Sequence, residues 1–200
     1  MIKCNVTVIG TICRSGESKA DRECKPFFTF GLRTIVSSNN DSEKEIDISV
    51  AMDGNPGNSM EFKEGARVKV SGILSFRKRD ETIYLNLSAK DARFSPDEVD
   101  SIKGTMSFKG TTGSKEIPEK KGKKGNYRLF DAFSSEKLDN DQYAFVWVHF
   151  VDFSANRPQW LGPKTGFEAE GDLELSEFNE KLSINCIVSS LSYWDKKSNQ

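Results

Sequence analysis

The sequence predicts an all-β chain of two tandem five-stranded Greek-key barrels, and three observations predict it. The first is a period-two hairpin. Val68, Val70, Gly72, Leu74 and Phe76 share one parity, while Arg67, Lys69, Ser71 and Ser75 share the other. On the partner strand Ile83, Leu85, Leu87 and Ala89 point inward and Tyr84, Asn86, Ser88 and Lys90 outward. Such alternation belongs to half-buried strands rather than to a helix face, and Arg77, Lys78 and Arg79 make the hairpin tip cationic. The second observation is a repeat ninety-nine positions later. Phe167, Ala169, Gly171, Leu173 and Leu175 keep the inward parity of the first strand, and Leu182, Ile184, Cys186 and Val188 that of the second. The third is a polar stretch between the copies, Ser95 to Ser101, which carries Pro96. Domains are therefore expected at 1–95 and 102–200, with 96–101 as a linker too short to let them drift far apart.

Each element of the first copy follows from its pattern. Cys4 to Cys13 alternates as strand one, with Gly10 at a bulge or bend. Arg14 to Pro26 reads as a polar loop of mixed charge. Phe28, Phe30 and Leu32 give strand two an apolar face, opposite Phe27, Thr29 and Arg33. After a polar turn, Ile46, Ile48 and Val50 mark strand three. Asp53 to Asn58 is a break, and Met60 to Gly65 leaves room for about one helical turn before the hairpin. Five strands with a short helix or loop between the third and fourth is the order of an OB-fold barrel.

The second copy opens with Ile102-Lys-Gly-Thr-Met106, echoing Ile9-Gly-Thr-Ile12. Its first loop is longer and more basic, with Lys115, Lys120, Lys121, Lys123, Lys124 and Arg128 against Glu116 and Glu119. Clusters of this kind are commonly solvated surface. Strand two follows around Leu129 to Phe133, and strand three runs Tyr143 to Asp152. Matching Val146, Val148 and Phe150 to Ile46, Ile48 and Val50 puts Phe145, Trp147, His149 and Val151 on the outer face, where copy one has Glu45, Asp47, Ser49 and Ala51. An aromatic row on an outer face marks a contact surface, unless copy two buries both faces of this strand at its partner domain or an oligomer interface.

Composition bounds the function. With 36% hydrophobic and 30% charged residues the chain is globular, and a net charge of −1 gives no global argument for a polyanion partner. Cys4, Cys13, Cys24 and Cys186 form no CxxC pair, and one histidine leaves no zinc set. Reduced, structural cysteines are expected, with Cys13 and Cys24 the one pair flanking a common loop. Met1 to Asn5 lacks the long apolar core of a signal peptide, so a cytoplasmic protein is expected. No run is long enough to span a membrane. Catalytic signals are missing as well. His149 has no neighbouring nucleophile in sequence, Asp139 and Asp141 look like loop residues, and Gly110-Thr-Thr-Gly-Ser-Lys115 lacks the glycine spacing and the strand-to-helix setting of a phosphate-binding loop. We expect no enzyme, no cofactor, no metal and no small-molecule substrate.

The segments Val6-Thr-Val-Ile-Gly10, Phe28-Thr-Phe-Gly-Leu-Arg33 and Phe62-Lys-Glu-Gly-Ala-Arg-Val-Lys-Val-Ser-Gly-Ile-Leu74 resemble the OB-fold single-stranded-DNA-binding proteins of bacteria and their phages, here in tandem form. The last segment is the most specific. The resemblance implies single-strand binding and protection in replication or recombination, with bases stacked on aromatics and phosphates met by basic loops. It places the site on Phe27, Arg33, Arg77, Lys78, Arg79 and Tyr84 in copy one. In copy two it names Lys120, Lys121, Lys123, Lys124, Phe133, Phe145, Trp147 and His149, and it suggests one strand crossing both domains. The departures are a copy one without tryptophan, an acidic hairpin at Glu174 to Glu180, and a terminus at Gln200 without the family's acidic, phenylalanine-ended tail. These favour a phage, plasmid or accessory member. Two barrels per chain leave a homodimer open. The rival class is an OB-fold adaptor that binds protein and no nucleic acid.

Overall fold

The computed structural model describes residues 1–38, 42–57, 59–95, 97–123, 125–137, 143–154 and 158–195. Its strands are β1 (Ile2–Ala20), β2 (Pro26–Ser38), β3 (Glu43–Asp53), β4 (Arg67–Arg79), β5 (Thr82–Phe94), β6 (Ser101–Thr112), β7 (Glu119–Gly122), β8 (Gly125–Lys137), β9 (Tyr143–Asp152), β10 (Gly166–Phe178) and β11 (Lys181–Tyr193). A single 3-10 turn, Ser59–Glu61, stands between β3 and β4. The chain divides into two compact units. One, the first barrel, comprises Cys4–Gly104 with Glu177–Lys181; the other, the second barrel, comprises Thr105–Ser176 with Met1–Lys3 and Leu182–Gln200. Among the described residues no helix is long and apolar enough to cross a membrane.

In the first barrel the sheet runs β2-β3-β5-β4-β1 and closes by pairing β1 with β2. All neighbours are antiparallel except β3 and β5, which are parallel. With the turn between the third and fourth strands, this is the OB-fold order. β1 serves two partners, pairing β4 through residues 4–11 and β2 from Thr11 onward. Gly10 lies at the changeover, and a Cβ there would collide with the carbonyl oxygen of Arg33. The close approach of two backbones is why this position is glycine. Val8, Ile12, Phe30, Leu32, Ile48, Val50, Val70, Leu74 and Leu87 fill the interior, with Phe62 from the 3-10 turn segment packed against Phe28, Phe30 and Phe94. Each such side chain contributes about 1.5–3 kcal/mol by leaving water.

The second barrel repeats this ring as β6-β10-β11-β9-β8, closed by β6 with β8, and adds β7 at the outer edge of β8. β9 and β11 are its parallel pair. The hairpin strands β4 and β5 recur as β10 and β11 at the same ninety-nine-residue offset at both ends. Gly110 meets the carbonyl oxygen of Phe133 as Gly10 meets that of Arg33, so the first three strands repeat at an offset of one hundred. The interior is richer in rings. Phe108, Phe130, Phe150 and Phe167 form one cluster, with Phe130 stacked on Phe150 at 5.1 Å between centroids.

Two segments expected as loops are strands. Arg14 to Ala20 continues β1 and pairs with β2 as far as Ala20 opposite Pro26. The hairpin turns through Asp21, whose carboxylate accepts from the backbone N–H groups of Glu23 and Lys25. Part of the basic loop of copy two likewise becomes β7. Neither ribbon buries an apolar face, so backbone pairing and a few polar contacts hold it and no alternation announces it. Arg128, grouped in sequence with the loop lysines, is fully buried. Its guanidinium donates to the buried Asp152 carboxylate at 2.9 and 3.1 Å and to the Ser154 carbonyl at 2.6 Å. One hundred positions earlier the same rung is Phe28 opposite Met52. The linker residues are tied down: Arg67 donates to the Glu98 carbonyl and pairs with Asp100, and Lys69 pairs with Glu98. Cys13 and Cys24 are free thiols, as is Cys186.

Candidate nucleic-acid interface

The outer faces of the two equivalent strand pairs, β2–β3 and β8–β9, share a backbone and differ in chemistry. On β8–β9, Phe133 stands opposite Trp147. Its ring lies 5.1 Å from the Trp147 ring and 5.5 Å from that of Phe145, the latter edge-on. Phe145 and Trp147 nevertheless remain 44% and 46% exposed, and Tyr143 at the strand start 56%. Phe133, in contact with both, restrains the two exposed rings, which lowers the side-chain entropy lost when a ligand stacks on them. Within the chain, then, the outer face of this strand is left uncovered at Phe145 and Trp147.

Farther along the same face Tyr127 and Phe153 pack at 6.0 Å, and Leu129 lies exposed between them and the triad. Parity identifies Val151 and Phe153 as continuing the outer row of β9. Tyr127 and Phe153 escaped the sequence reading, although the offset to Phe27 and Asp53 could have found them.

The homologous positions of the first barrel hold ions. Arg33 replaces Phe133, Glu45 replaces Phe145 and Asp47 replaces Trp147. Arg33 donates to both Asp47 oxygens, at 2.7 and 3.1 Å, and pairs with Glu45 at 3.3 Å. The hydrogen bond from Arg33 holds the Asp47 carboxyl below the usual carboxylate range. Arg33 therefore enters as half of a neutralised pair rather than as a free cation. The outer row of β3 carries Glu43, Glu45, Asp47 and Asp53, interrupted by Ser49 and Ala51, and holds no basic residue.

Other expected residues are placed as follows. Arg77 stands opposite exposed Tyr84 near the end of the β4–β5 hairpin, with Lys78 and Arg79 next to the turn. By register Tyr84 neighbours Asp47, so Arg33, Asp47, Tyr84 and Arg77 share one transverse row. Phe27 is opposite Asp53, six residues along the strand from Arg33, and at about 3.3 Å per residue is not brought to that row. Lys120 and Lys121 lie on β7 opposite Tyr127 and Asn126, and Lys123 is in the turn after them. All three are exposed, with no ion pair among the described residues; Lys124 lies outside those residues, as do Asp139 and Asp141. Arg128 also approaches Glu119 of β7 at 3.7 Å, which ties the lysine ribbon to the barrel.

His149 does not stand alone. Its Nδ1 lies 2.6 Å from Asp131 Oδ1 across the strand pair. A carboxylate only accepts, so Nδ1 carries the proton. Both line a groove of about 650 Å³ together with Trp147, Lys115, Leu129 and Asn185. The segment that resembled a phosphate loop forms its rim, but its backbone is already committed. Gly113 donates to the Asp131 carbonyl and accepts from Lys164, and Thr112 Oγ1 donates to the Gly162 carbonyl. No cluster of three or more metal-ligating side chains exists among the described residues.

No protein-family model matches the chain, and no curated protein matches it either. Solved structures do. The wild-type single-stranded DNA binding protein from Thermus aquaticus matches at a TM-score of 0.52 and 14% identity, over 96% of this chain and 93% of that one. The likeness shows the fold. A small single-stranded DNA-binding protein from Streptomyces coelicolor aligns over 49% of this chain and 94% of its own, at 15% identity and a TM-score of 0.37. The N-terminal domain of PriB from Thermoanaerobacter tencongensis aligns over 46% of this chain and 98% of its own, at 22% and 0.34. The chain thus consists of all-β OB-fold domains, as the strand order predicts.

Proposed function

We propose that this protein binds single-stranded DNA on the outer face of β8–β9, in the service of replication or recombination. The bases stack on Phe133, Phe145 and Trp147, and Lys115, Lys120, Lys121 and Lys123 meet the phosphates. The observation that carries the reading is the aromatic triad, half-buried Phe133 with exposed Phe145 and Trp147, set where the other barrel has one arginine held by two carboxylates. Unpaired strands expose base faces that a duplex hides, and each base stacked on a ring gains about 1–3 kcal/mol. The solved structure of like fold from Thermus aquaticus is a single-stranded DNA binding protein, which supports the same partner here. The role is mechanical and calls for no catalysis. The Arg77, Lys78 and Arg79 tip offers the first barrel a phosphate contact, while its acidic β3 row opposes a polyanion on β2–β3.

That acidic row, with the net charge of −1, favours the second reading, an adaptor for a protein partner. A gel shift separates the two, using single-stranded DNA, duplex and RNA of one length. A shift with single-stranded DNA in preference to duplex, weakening steeply as salt rises, supports the proposal. No shift with any of the three leaves the adaptor.

A further inference from the structure

We propose that the groove beside Trp147 is a base-reading pocket selective for a nucleobase with an exocyclic amino group, guanine best and thymine worst. The inference rests on the single-strand reading and adds a specificity to it. The groove is walled by the Trp147 ring and exposed Leu129, and Gly113 on the rim leaves open the space beside that ring that a Cβ would fill. A flat apolar base fits such walls, and the polar groups then decide which base.

Those polar groups are unusual for a surface that tolerates any sequence. Asp131 offers its carboxylate to the groove, with Oδ1 engaged by His149 Nδ1. No partner is found for Oδ2 among the described residues. An ionised carboxylate accepts and never donates. Guanine presents two adjacent donors on its pairing edge, and cytosine and adenine present one amino group each. Thymine presents a single N–H flanked by two carbonyl oxygens, which the carboxylate repels. His149 acts as a positioning residue: its proton fixes the Asp131 carboxylate across the strands, and Lys115 at the rim meets the phosphate that follows the inserted base. The equivalent rung of the first barrel is Gly31 opposite Ser49, so no counterpart of this pocket exists there.

The test measures the full chain binding a labelled oligo-dT and the same oligomer carrying one central dG, at fixed salt. The dG oligomer should bind about 3- to 10-fold more tightly, the order expected of one incompletely bidentate base contact. Asp131→Asn, which exchanges one acceptor for a donor and removes the charge that repels thymine, should abolish that preference, chiefly by tightening the binding of oligo-dT. His149→Gln should weaken the preference without removing it. Equal affinities for the two oligomers, or a preference that survives in Asp131→Asn, overturn the pocket while single-strand binding itself stands. Failure of both oligomers to bind overturns the single-strand reading and the pocket together.

Discussion

Exchanging the two triads tests the division between the barrels most fully. Phe133→Arg, Phe145→Glu and Trp147→Asp rewrite the second barrel's face in the chemistry of the first, on strands of matching register. The first barrel shows that this geometry accommodates the ion set, since Arg33 reaches Asp47 at 2.7 Å and Glu45 at 3.3 Å. The altered side chains lie on the outer face, so the barrel interior is untouched and the variant should fold. Three stacked bases at about 1–3 kcal/mol each, discounted because neighbouring rings do not act additively, amount to about 3 kcal/mol, or roughly 150-fold in affinity. Fluorescence anisotropy of a labelled oligo-dT at fixed salt reads the loss, and circular dichroism confirms the fold. The reciprocal triple change, Arg33→Phe, Glu45→Phe and Asp47→Trp, should tighten binding. A folded second-barrel variant that retains affinity within about three-fold refutes the assignment.

Two further outcomes follow from the ion pairs. Arg128→Met strands the buried Asp152 carboxylate and should cost about 3–5 kcal/mol in urea unfolding. The pair Arg128→Phe with Asp152→Met, which copies Phe28 and Met52, should recover most of that loss; a single variant as stable as the parent would contradict the buried pairing. Asp47 titrates below the ordinary carboxylate range in the folded state, so its contribution is fully present above that range and is lost as pH falls through the lowered value. Urea midpoints measured from pH 6 down to pH 3 should therefore fall less steeply for Asp47→Asn than for the parent, and parallel curves would count against the Arg33 pairing.

Strand parity made most of the fold legible. Val68, Val70 and Leu74 are buried, as are Ile48, Val50, Val148 and Phe150, and β9 spans Tyr143–Asp152, the bounds that its alternation predicts. The ring closure was readable only through strand order, because sequence shows which face a strand buries but not which neighbours it takes. What escaped was polar. Arg14 to Ala20 and β7 are held mainly by backbone pairing, which leaves no apolar period. Arg33 looked like a free cation because its carboxylate partners stand on the next strand, a turn away in sequence. Arg128 looked like one more loop lysine; its position one hundred residues beyond Phe28 was the overlooked sign that it points inward. The outer aromatic row of β9 was visible from parity, whereas the Asp131–His149 pair needed the β8–β9 register to bring its members together.

The most direct measurement follows Trp147 itself. With Trp160→Phe and Trp194→Phe, Trp147 becomes the sole indole, since the chain has three tryptophans. Titrating this protein with oligo-dT while anisotropy reports binding should quench its emission in step with complex formation. Tight binding with unchanged emission would mean that the strand lies elsewhere and that the exposed rings of β8–β9 serve another partner.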